Sequence, residues 1–382
     1  MSSSGATGSP HLDVAFDATP LLESVAGVGG FCSGALRGLA DVDDLAMKVF
    51  MVSWRGRERV VEHLPSGVSV VDRRMPSRPV HQAWRMADFP PIEWWTGRVD
   101  VVHGTNFVVQ PARRAARVVT VHDLTPVRFP ELCDEYTRTF PELVRRAIRA
   151  GSWVHTHSPF VRDEVIEVFG ASPERVRAVR PGIPSVDEKV EDEGTVGSVP
   201  EGPYVLALGT IEPRKDLATL VRAFDDVGER HRDVSLVVAG RAGWGMEGFG
   251  AAVAASPWRD RVVRLGYVTQ AHRSRLLRQA TVFAFPSVYE GFGFPPLEAM
   301  AAGVPVVTTT AGALPEVVGD GAELVEPGDV HALATAIDRL LVDDEARSDL
   351  VARGHRRIAA FSWEKCGSGL AALYRDASAA AS

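Results

Sequence analysis

Glu290 and Glu298 stand eight residues apart in the stretch YEGFGFPPLEAM, in which Gly291 and Gly293 form a loop and Pro295 and Pro296 announce a helix. Proline suits a helix start, because the N–H it lacks would have no partner there. The pattern predicts a strand ending at Phe285, then the loop, then a helix over 296–302 with Glu298 in its first turn. The N–H groups and positive dipole end of such a helix suit a diphosphate or sugar hydroxyls. A carboxylate beside them accepts hydrogen bonds from hydroxyls. The plainer alternative is that Glu298 complements the helix dipole and Glu290 is a solvated loop carboxylate.

A second strand, glycine and helix arrangement lies at ALGTIEPRKD, residues 207–216, with Asp216 as the expected N-cap. Arg214 and Lys215 stand beside that helix start, where they would neutralise a diphosphate or form an exposed basic pair. His122-Asp123 closes the apolar run 118–121, and a histidine there could bond a sugar or accept a proton. The bland reading is a buried structural histidine. Gly29 and Gly30 in GVGGF allow close backbone approach at a helix start, which a tight helix–strand contact would explain equally well. His103 in VVHGTN also ends a strand.

These residues need a frame to position them. Apolar strand-like runs at 11–17, 47–52, 99–102, 118–121 and 153–156 alternate with helical patterns, clearest at 142–150 and 159–169. That rhythm is the signature of a parallel sheet covered on both faces. It breaks at 181–203, charged and turn-forming, which reads as a linker. It then resumes with strands at 204–209, 235–239, 262–265, 282–285, 304–308 and 322–325, and helices at 217–227, 270–280, 296–302, 314–318 and 330–341. The fold class is therefore α/β, with two Rossmann-like parallel-sheet domains. The expected boundaries are 1–185, a linker at 186–203, a second domain at 204–360, and a terminal helix at 361–382. Parallel sheets bind ligands at the C-terminal ends of their strands, so the cleft between two such halves is the expected site.

The 382 residues suit two domains, and 45% hydrophobic content supports their cores. A net charge of −7 lacks the basic footprint of a nucleic-acid binder. No apolar run reaches the roughly 18 residues of a membrane span, and residues 1–10 do not read as a signal peptide. Cys32, Cys133 and Cys366 form neither a CxxC pair nor a disulfide framework, which suits a reducing cytoplasm. Trp84, Trp94 and Trp95 are expected to pack against the first domain. The basic runs at Arg113, Arg114, Arg117 and at Arg145, Arg146, Arg149 are expected to be solvated faces.

Taken together, the segments are similar to family 4 of the retaining glycosyltransferases, which have the GT-B fold. The resemblance rests on EGFGFPPLE with AMAAGVPVVTT and LPEVVGDGAELVEPGD. GTIEPRKDLATLVRAF, LVVAGRAGW, RLGYV and FSWEK extend it, with VHDLTPVRFPE, THSPF and AGVGGF in the first half. It implies roles for individual residues. Glu290 would hold hydroxyls of the transferred sugar, Glu298 the donor ribose, and Lys215 with Arg214 the leaving diphosphate. Phe292, Gly293 and Phe294 would line the donor loop, and Gly29, Gly30 and His122 would serve the donor sugar and acceptor. In that arrangement Glu290 would govern turnover and Glu298 nucleotide affinity.

The resemblance further implies a nucleotide-sugar donor, with GDP-mannose ahead of UDP- and dTDP-sugars. The acceptor would be a sugar, lipid-linked or small molecule, with peripheral membrane contact at the inner face of the cell membrane. No metal and no other cofactor is expected, since no DxD-like aspartate pair appears in a suitable loop. Thr210, Gly30 and the segment THSPFV (156–161) depart from the family's usual residues, and bear on the acceptor and part of the phosphate contact. A nucleotide-sugar epimerase, a phosphorylase or a non-catalytic nucleotide-sugar binder are the rival readings. The last would lack the glutamate pair or the cation.

Overall fold

The computed structural model describes residues 11–22, 27–61, 64–184, 199–244 and 246–381. Most of the expected linker lies outside them. The chain forms two compact units. The first comprises Met1–Val127, Glu135–Gly182 and Phe361–Ser382; the second comprises Arg128–Asp134 and Ile183–Ala360. Residues 128–134, which sequence order places in the first domain, thus group with the second. There the Phe129 ring packs 5.4 Å from the Tyr289 ring, and Trp244 Nε1 donates to the Leu132 carbonyl at 3.0 Å.

In the first unit, seven strands form a sheet in the order β3-β2-β1-β4-β5-β6-β7. They are β1 Leu12–Asp17, β2 Leu45–Phe50, β3 Ser69–Val70, β4 Val101–Gly104, β5 Ala116–Val121, β6 Trp153–Thr156 and β7 Val176–Ala178. All pairs are parallel, and residues such as Val14, Val102, Val119 and Val154 are fully or almost fully buried. This is why these strands read as unbroken apolar runs rather than alternating ones.

The helices Val28–Ala40 and Trp363–Ala379 lie against one another in this unit through glycine. A Cβ on Gly34 would overlap the Trp363 ring, and one on Gly38 the Trp363 carbonyl oxygen. A Cβ on Gly367 would in turn overlap the Gly38 backbone. The terminal helix is tied further by its Tyr374 hydroxyl, which bonds His103 Nδ1 at 2.7 Å. A one-way chain continues from there. His103 Nε2 meets Thr120 Oγ1 at 2.7 Å, Thr120 Oγ1 meets His155 Nδ1 at 2.9 Å, and His155 Nε2 donates to the Val179 carbonyl at 3.1 Å. His103 is thus a buried link in the core and not a ligand at a strand end.

Trp84 is buried as expected, its Nε1 donating to the Pro90 carbonyl at 2.8 Å. Trp95 packs against the same core. Trp94 does not follow them: it is 49% exposed and edge-on to Phe89. Trp94 and Trp95 are neighbours in the one-turn helix Glu93–Thr96, and they cannot both face the same core, because a helix turns about 100° per residue.

In the second unit, six parallel strands run in the order β10-β9-β8-β11-β12-β13. They are β8 Tyr204–Leu208, β9 Ser235–Ala239, β10 Val262–Gly266, β11 Val282–Phe285, β12 Val306–Thr309 and β13 Glu323–Val325. The helix Leu217–Arg230 buries Leu217, Leu220, Val221, Phe224 and Val227, a stripe at helical spacing that closes the core beneath the sheet. The strand order reverses between β8 and β11, and such a switch point opens a crevice beyond the strand ends.

Candidate functional site

Chain order alone would not bring Lys215 and Glu290 together; the switch point does. β8 ends at Leu208, and the chain turns at Gly209 into the one-turn helix Pro213–Lys215. Asp216 then caps the helix Leu217–Arg230, its carboxylate accepting from the Thr219 amide at 3.3 Å. β11 ends at Phe285 and leads into the glycine loop. The two loops meet in a nearly closed ion cluster. Lys215 Nζ lies 2.5 Å from Glu290 Oε1, and Arg214 Nη1 lies 2.7 Å from Glu290 Oε2. Arg214 also pairs with Glu212 at 2.7 Å and donates to the Tyr289 carbonyl at 3.0 Å. The Lys215 ammonium sits 4.5 Å from the centre of the Phe285 ring. The four charges balance, two of each sign.

These groups are little exposed, 12% for the Lys215 side chain and 8% for that of Glu290. Burial raises the Glu290 pKa, but the adjacent Arg214 and Lys215 charges outweigh it and hold the carboxyl down at about 2. Lys215 is pulled below its ordinary value by burial and by Arg214, against the opposing pull of Glu290 and Glu212. Glu290 is therefore not a solvated loop carboxylate, and Arg214 and Lys215 are not an unpartnered basic pair.

Backbone contacts hold the loop. Ala313 donates to the Glu290 carbonyl at 2.8 Å, and Val288 to the Arg214 carbonyl at 2.9 Å. Gly312, at φ +59°, lies so close that a Cβ would overlap the Glu290 backbone. Gly293, at φ +104°, caps the next helix, and a Cβ there would press on Leu314 at 2.7 Å. Only glycine meets both demands at these two positions. Phe292 is buried, 5.0 Å from the Phe294 ring.

The helix that follows is Phe294–Ala301, two residues earlier than its prolines suggest. Glu298 is consequently in the second turn rather than the first. Two of the first three helical residues, Pro295 and Pro296, bring no N–H, so that helix start offers far fewer donors than the sequence pattern promised. Glu298 is buried and ion-paired with Arg273 Nε at 2.5 Å. Arg273 comes from the helix Gln270–Gln279, and nothing in its local sequence marks it. Nothing local marks Glu212 or Gly312 either, although Glu212 lies in GTIEPRKD and Gly312 falls just before LPEVVGDG.

His122, Gly29 and Gly30 belong to the first unit. Gly29 and Gly30 fall in the first turn of the helix Val28–Ala40, after Gly27 at φ +57°, and no side chain caps that end. Phe31 from the same helix places its ring edge-on to His122 at 6.0 Å and to His157 at 4.5 Å. His122 follows β5, with both ring nitrogens occupied. Nε2 donates to the Thr105 carbonyl at 2.9 Å, so Nδ1 is the acceptor for His157 Nε2 at 2.7 Å. Burial lowers its pKa to about 4, so the ring is neutral at pH 7. It can meet a substrate only by exchanging one of these bonds. Asp123 accepts from the Thr125 amide at 2.9 Å, where the next short helix begins. Among the described residues, no group of three or more His, Cys, Asp or Glu side chains is arranged to hold a metal ion. Among the same described residues, no helix is long and apolar enough to cross a membrane.

Residues 27–185 match Glycosyltransferase Family 4, and residues 189–357 match Glycosyl transferases group 1. The chain is 32% identical over 298 residues to the O-antigen chain mannosyltransferase B of Escherichia coli, covering 75% of each protein. It is 34% identical over 292 residues to the alpha-maltose-1-phosphate synthase of Mycolicibacterium smegmatis, covering 69% of this chain and 73% of that one. In fold it is similar to the sucrose-phosphate synthase of Thermosynechococcus elongatus, with a TM-score of 0.72 at 20% identity over 97% of this chain and 100% of that one. It is also similar to Anabaena HepE in complex with UDP and glucose, with a TM-score of 0.68 at 17% identity over 95% and 99% of the two chains.

Proposed function

The chain belongs to glycosyltransferase family 4 and has the GT-B fold, and from that premise we propose that it transfers a hexose from a nucleotide-sugar to a hydroxyl acceptor with retention of configuration. The observation that carries the proposal is the Glu290–Arg214–Lys215 cluster at the β8/β11 switch point. Two cations there are in place to stabilise the negative charge that grows on a departing diphosphate. A stabiliser that acts more strongly on the transition state than on the bound donor raises the rate.

Glu290 holds hydroxyls of the transferred sugar beside those cations, and Glu298, oriented by Arg273, takes the ribose. Phe292, Gly293 and Phe294 shape the loop under the donor. The helix start at Gly29 and Gly30, together with His122, serves the sugar and the acceptor. The leaving phosphate accepts the acceptor's proton on the same face, so no protein nucleophile takes part. Lys215 and Arg214 perform the charge neutralisation that a metal would otherwise supply, so the reaction runs without one and survives EDTA. GDP-mannose is the favoured donor, in keeping with the mannosyltransferases among the relatives. UDP- and dTDP-sugars are the alternative. A thermal-shift screen against GDP, UDP, ADP and dTDP tests the donor site, because a ligand that binds only the folded state raises Tm. The donor's own diphosphate gives the largest rise; no rise with any of the four removes the proposal.

A further inference from the structure

His122 shares a hydrogen bond with a second histidine, His157, whose Nε2 meets its Nδ1 at 2.7 Å. His157 lies between Thr156, the last residue of β6, and Ser158, the N-cap of the helix Pro159–Phe169. It is 2% exposed, with the Phe31 ring at 4.5 Å and the His155 ring at 5.1 Å. Thr156 Oγ1 donates to the Ser158 carbonyl at 3.1 Å, and Ser158 Oγ accepts from the Val161 amide at 3.2 Å. The backbone on both sides of His157 is therefore bonded in place.

The other partner of His122, the Thr105 carbonyl, has a different support. A three-residue turn follows it, in which the Val108 amide donates to the Asn106 carbonyl at 2.7 Å around Phe107 at φ +56°. That conformation is strained for a bulky residue, and it persists only where the surroundings impose it. Here the Phe107 amide donates to the Thr120 carbonyl at 2.9 Å. The Phe107 ring stacks on Phe140 at 4.7 Å and stands edge-on to His122 at 5.5 Å. One partner of His122 is thus enclosed and anchored, and the other sits beside a strained turn.

The two bonds differ in what can replace them. A carbonyl only accepts, so His122 Nε2 carries the hydrogen, and any oxygen of a bound sugar could take that carbonyl's place. Nδ1 is then bare and accepts from the His157 N–H. The bond at one ring nitrogen decides what the other presents, and a hydrogen bond to the neutral ring disfavours the charged one. The other titratable groups around the ring are Asp123, whose charge favours a proton on it, and the buried His103 and His155. We propose that His157 is a positioning residue acting through His122: its N–H covers Nδ1, so that the ring stays neutral and fixed in plane, with its Nε2–H available to a sugar oxygen in exchange for Thr105. This rests on the nucleotide-sugar reading above.

Two-bond proton–nitrogen NMR of the histidine rings, joined to donor kinetics, tests it on the full chain as wild type, His157→Leu and His157→Gln. Leucine fills the space without a donor, whereas the glutamine amide returns an N–H near the position of the imidazole Nε2. Wild-type His122 should show its hydrogen on Nε2 and titrate at about 4. In His157→Leu the titration should move up towards the ordinary histidine range, and in His157→Gln it should return. For the nucleotide-sugar, kcat/KM should fall roughly tenfold in His157→Leu, the scale of one lost hydrogen bond, and recover in His157→Gln. Affinity for the bare nucleoside diphosphate, measured by calorimetry, should be the same in all three, since that ligand brings no sugar. A wild-type spectrum with the hydrogen on His122 Nδ1 overturns the proposal without any variant. So does a folded His157→Leu that keeps wild-type kcat/KM or an unmoved His122 titration, or one that loses nucleoside diphosphate affinity in proportion; the donor site then stands. A wild type that consumes no nucleotide-sugar overturns the reading above and this inference with it.

Discussion

Glu290→Gln keeps the shape of the side chain and removes its charge, and the ion cluster predicts an unusual result for it. A carboxylate that only held sugar hydroxyls would leave the affinity for a bare nucleoside diphosphate unchanged. Glu290 instead occupies both cations that would receive the diphosphate, at 2.5 and 2.7 Å. Its depression from 4.5 to about 2 corresponds to about 3 kcal/mol in favour of the charged form, at about 1.4 kcal/mol per unit. The variant leaves Lys215 and Arg214 short of one negative charge, and removing one partner of a buried pair costs roughly 3–5 kcal/mol of stability. A bound diphosphate supplies that missing charge. Recovering even half of the deficit tightens the nucleotide about tenfold, since each 1.4 kcal/mol is a factor of ten.

Three readouts should therefore move apart. Tm of the free variant falls, its rise on adding nucleotide exceeds that of wild type, and turnover drops by roughly two orders of magnitude or more. Glu298→Gln is the internal comparison, and it should weaken the nucleotide. Calorimetric titration of both variants decides the matter: a folded Glu290→Gln that binds the nucleoside diphosphate no tighter than wild type would refute the competition.

Lys215→Ala should lower kcat by roughly two or more orders of magnitude; near-normal turnover in a folded variant removes the residue from the diphosphate site. Acid should destabilise the first unit. Burial depresses His103 and His157 well below the ordinary value, His122 to about 4 and His155 to about 3. The unfolded chain then binds more protons below pH 6.5, and stability present above that pH falls by about 1.4 kcal/mol per unit per histidine on the way to pH 4. Urea midpoints at pH 7.5 and 5.5 measure the slope, and equal values would contradict the buried-histidine chain. Gly38→Ala should destabilise the first unit by about 2 kcal/mol or more, the scale of an overpacked core. Gly248→Ala, whose Cβ meets nothing within 4 Å in a helix interior, should be neutral or stabilising; equal effects would mean that the two helices do not need their close approach.

The sheets were legible because strands buried on both faces are continuous apolar runs, and the runs at 153–156, 235–239 and 282–285 appear with those bounds. Helices with weaker patterns escaped notice. Asp344–Ile358 buries only Leu350 and Gly354, so its apolar stripe is too thin to see, and Met246–Ala255 is nearly uniform in small and apolar residues. At the site, the residue types and the two loops could be read directly. Their electrostatics could not, because Glu290 meets Arg214 and Lys215 across about 75 residues, and Glu298 meets Arg273 across 25. Such pairings follow from the strand order, which local periodicity does not encode. The saturation of both His122 nitrogens has the same origin, since His157 and Thr105 arrive from other strand ends.

The central claim is sugar transfer from a nucleotide-sugar with retention, and the anomeric configuration of the product tests it most directly. The full chain is given GDP-mannose, with UDP- and dTDP-hexoses in parallel, and offered sugar and polyol acceptors in the presence of EDTA. NMR then follows the C1–H1 signals of donor and product. The expected result is release of the nucleoside diphosphate and a glycoside with the same anomeric configuration as the donor's α-linked sugar. An inverted product, or no consumption of any of these donors by a folded protein, would contradict it.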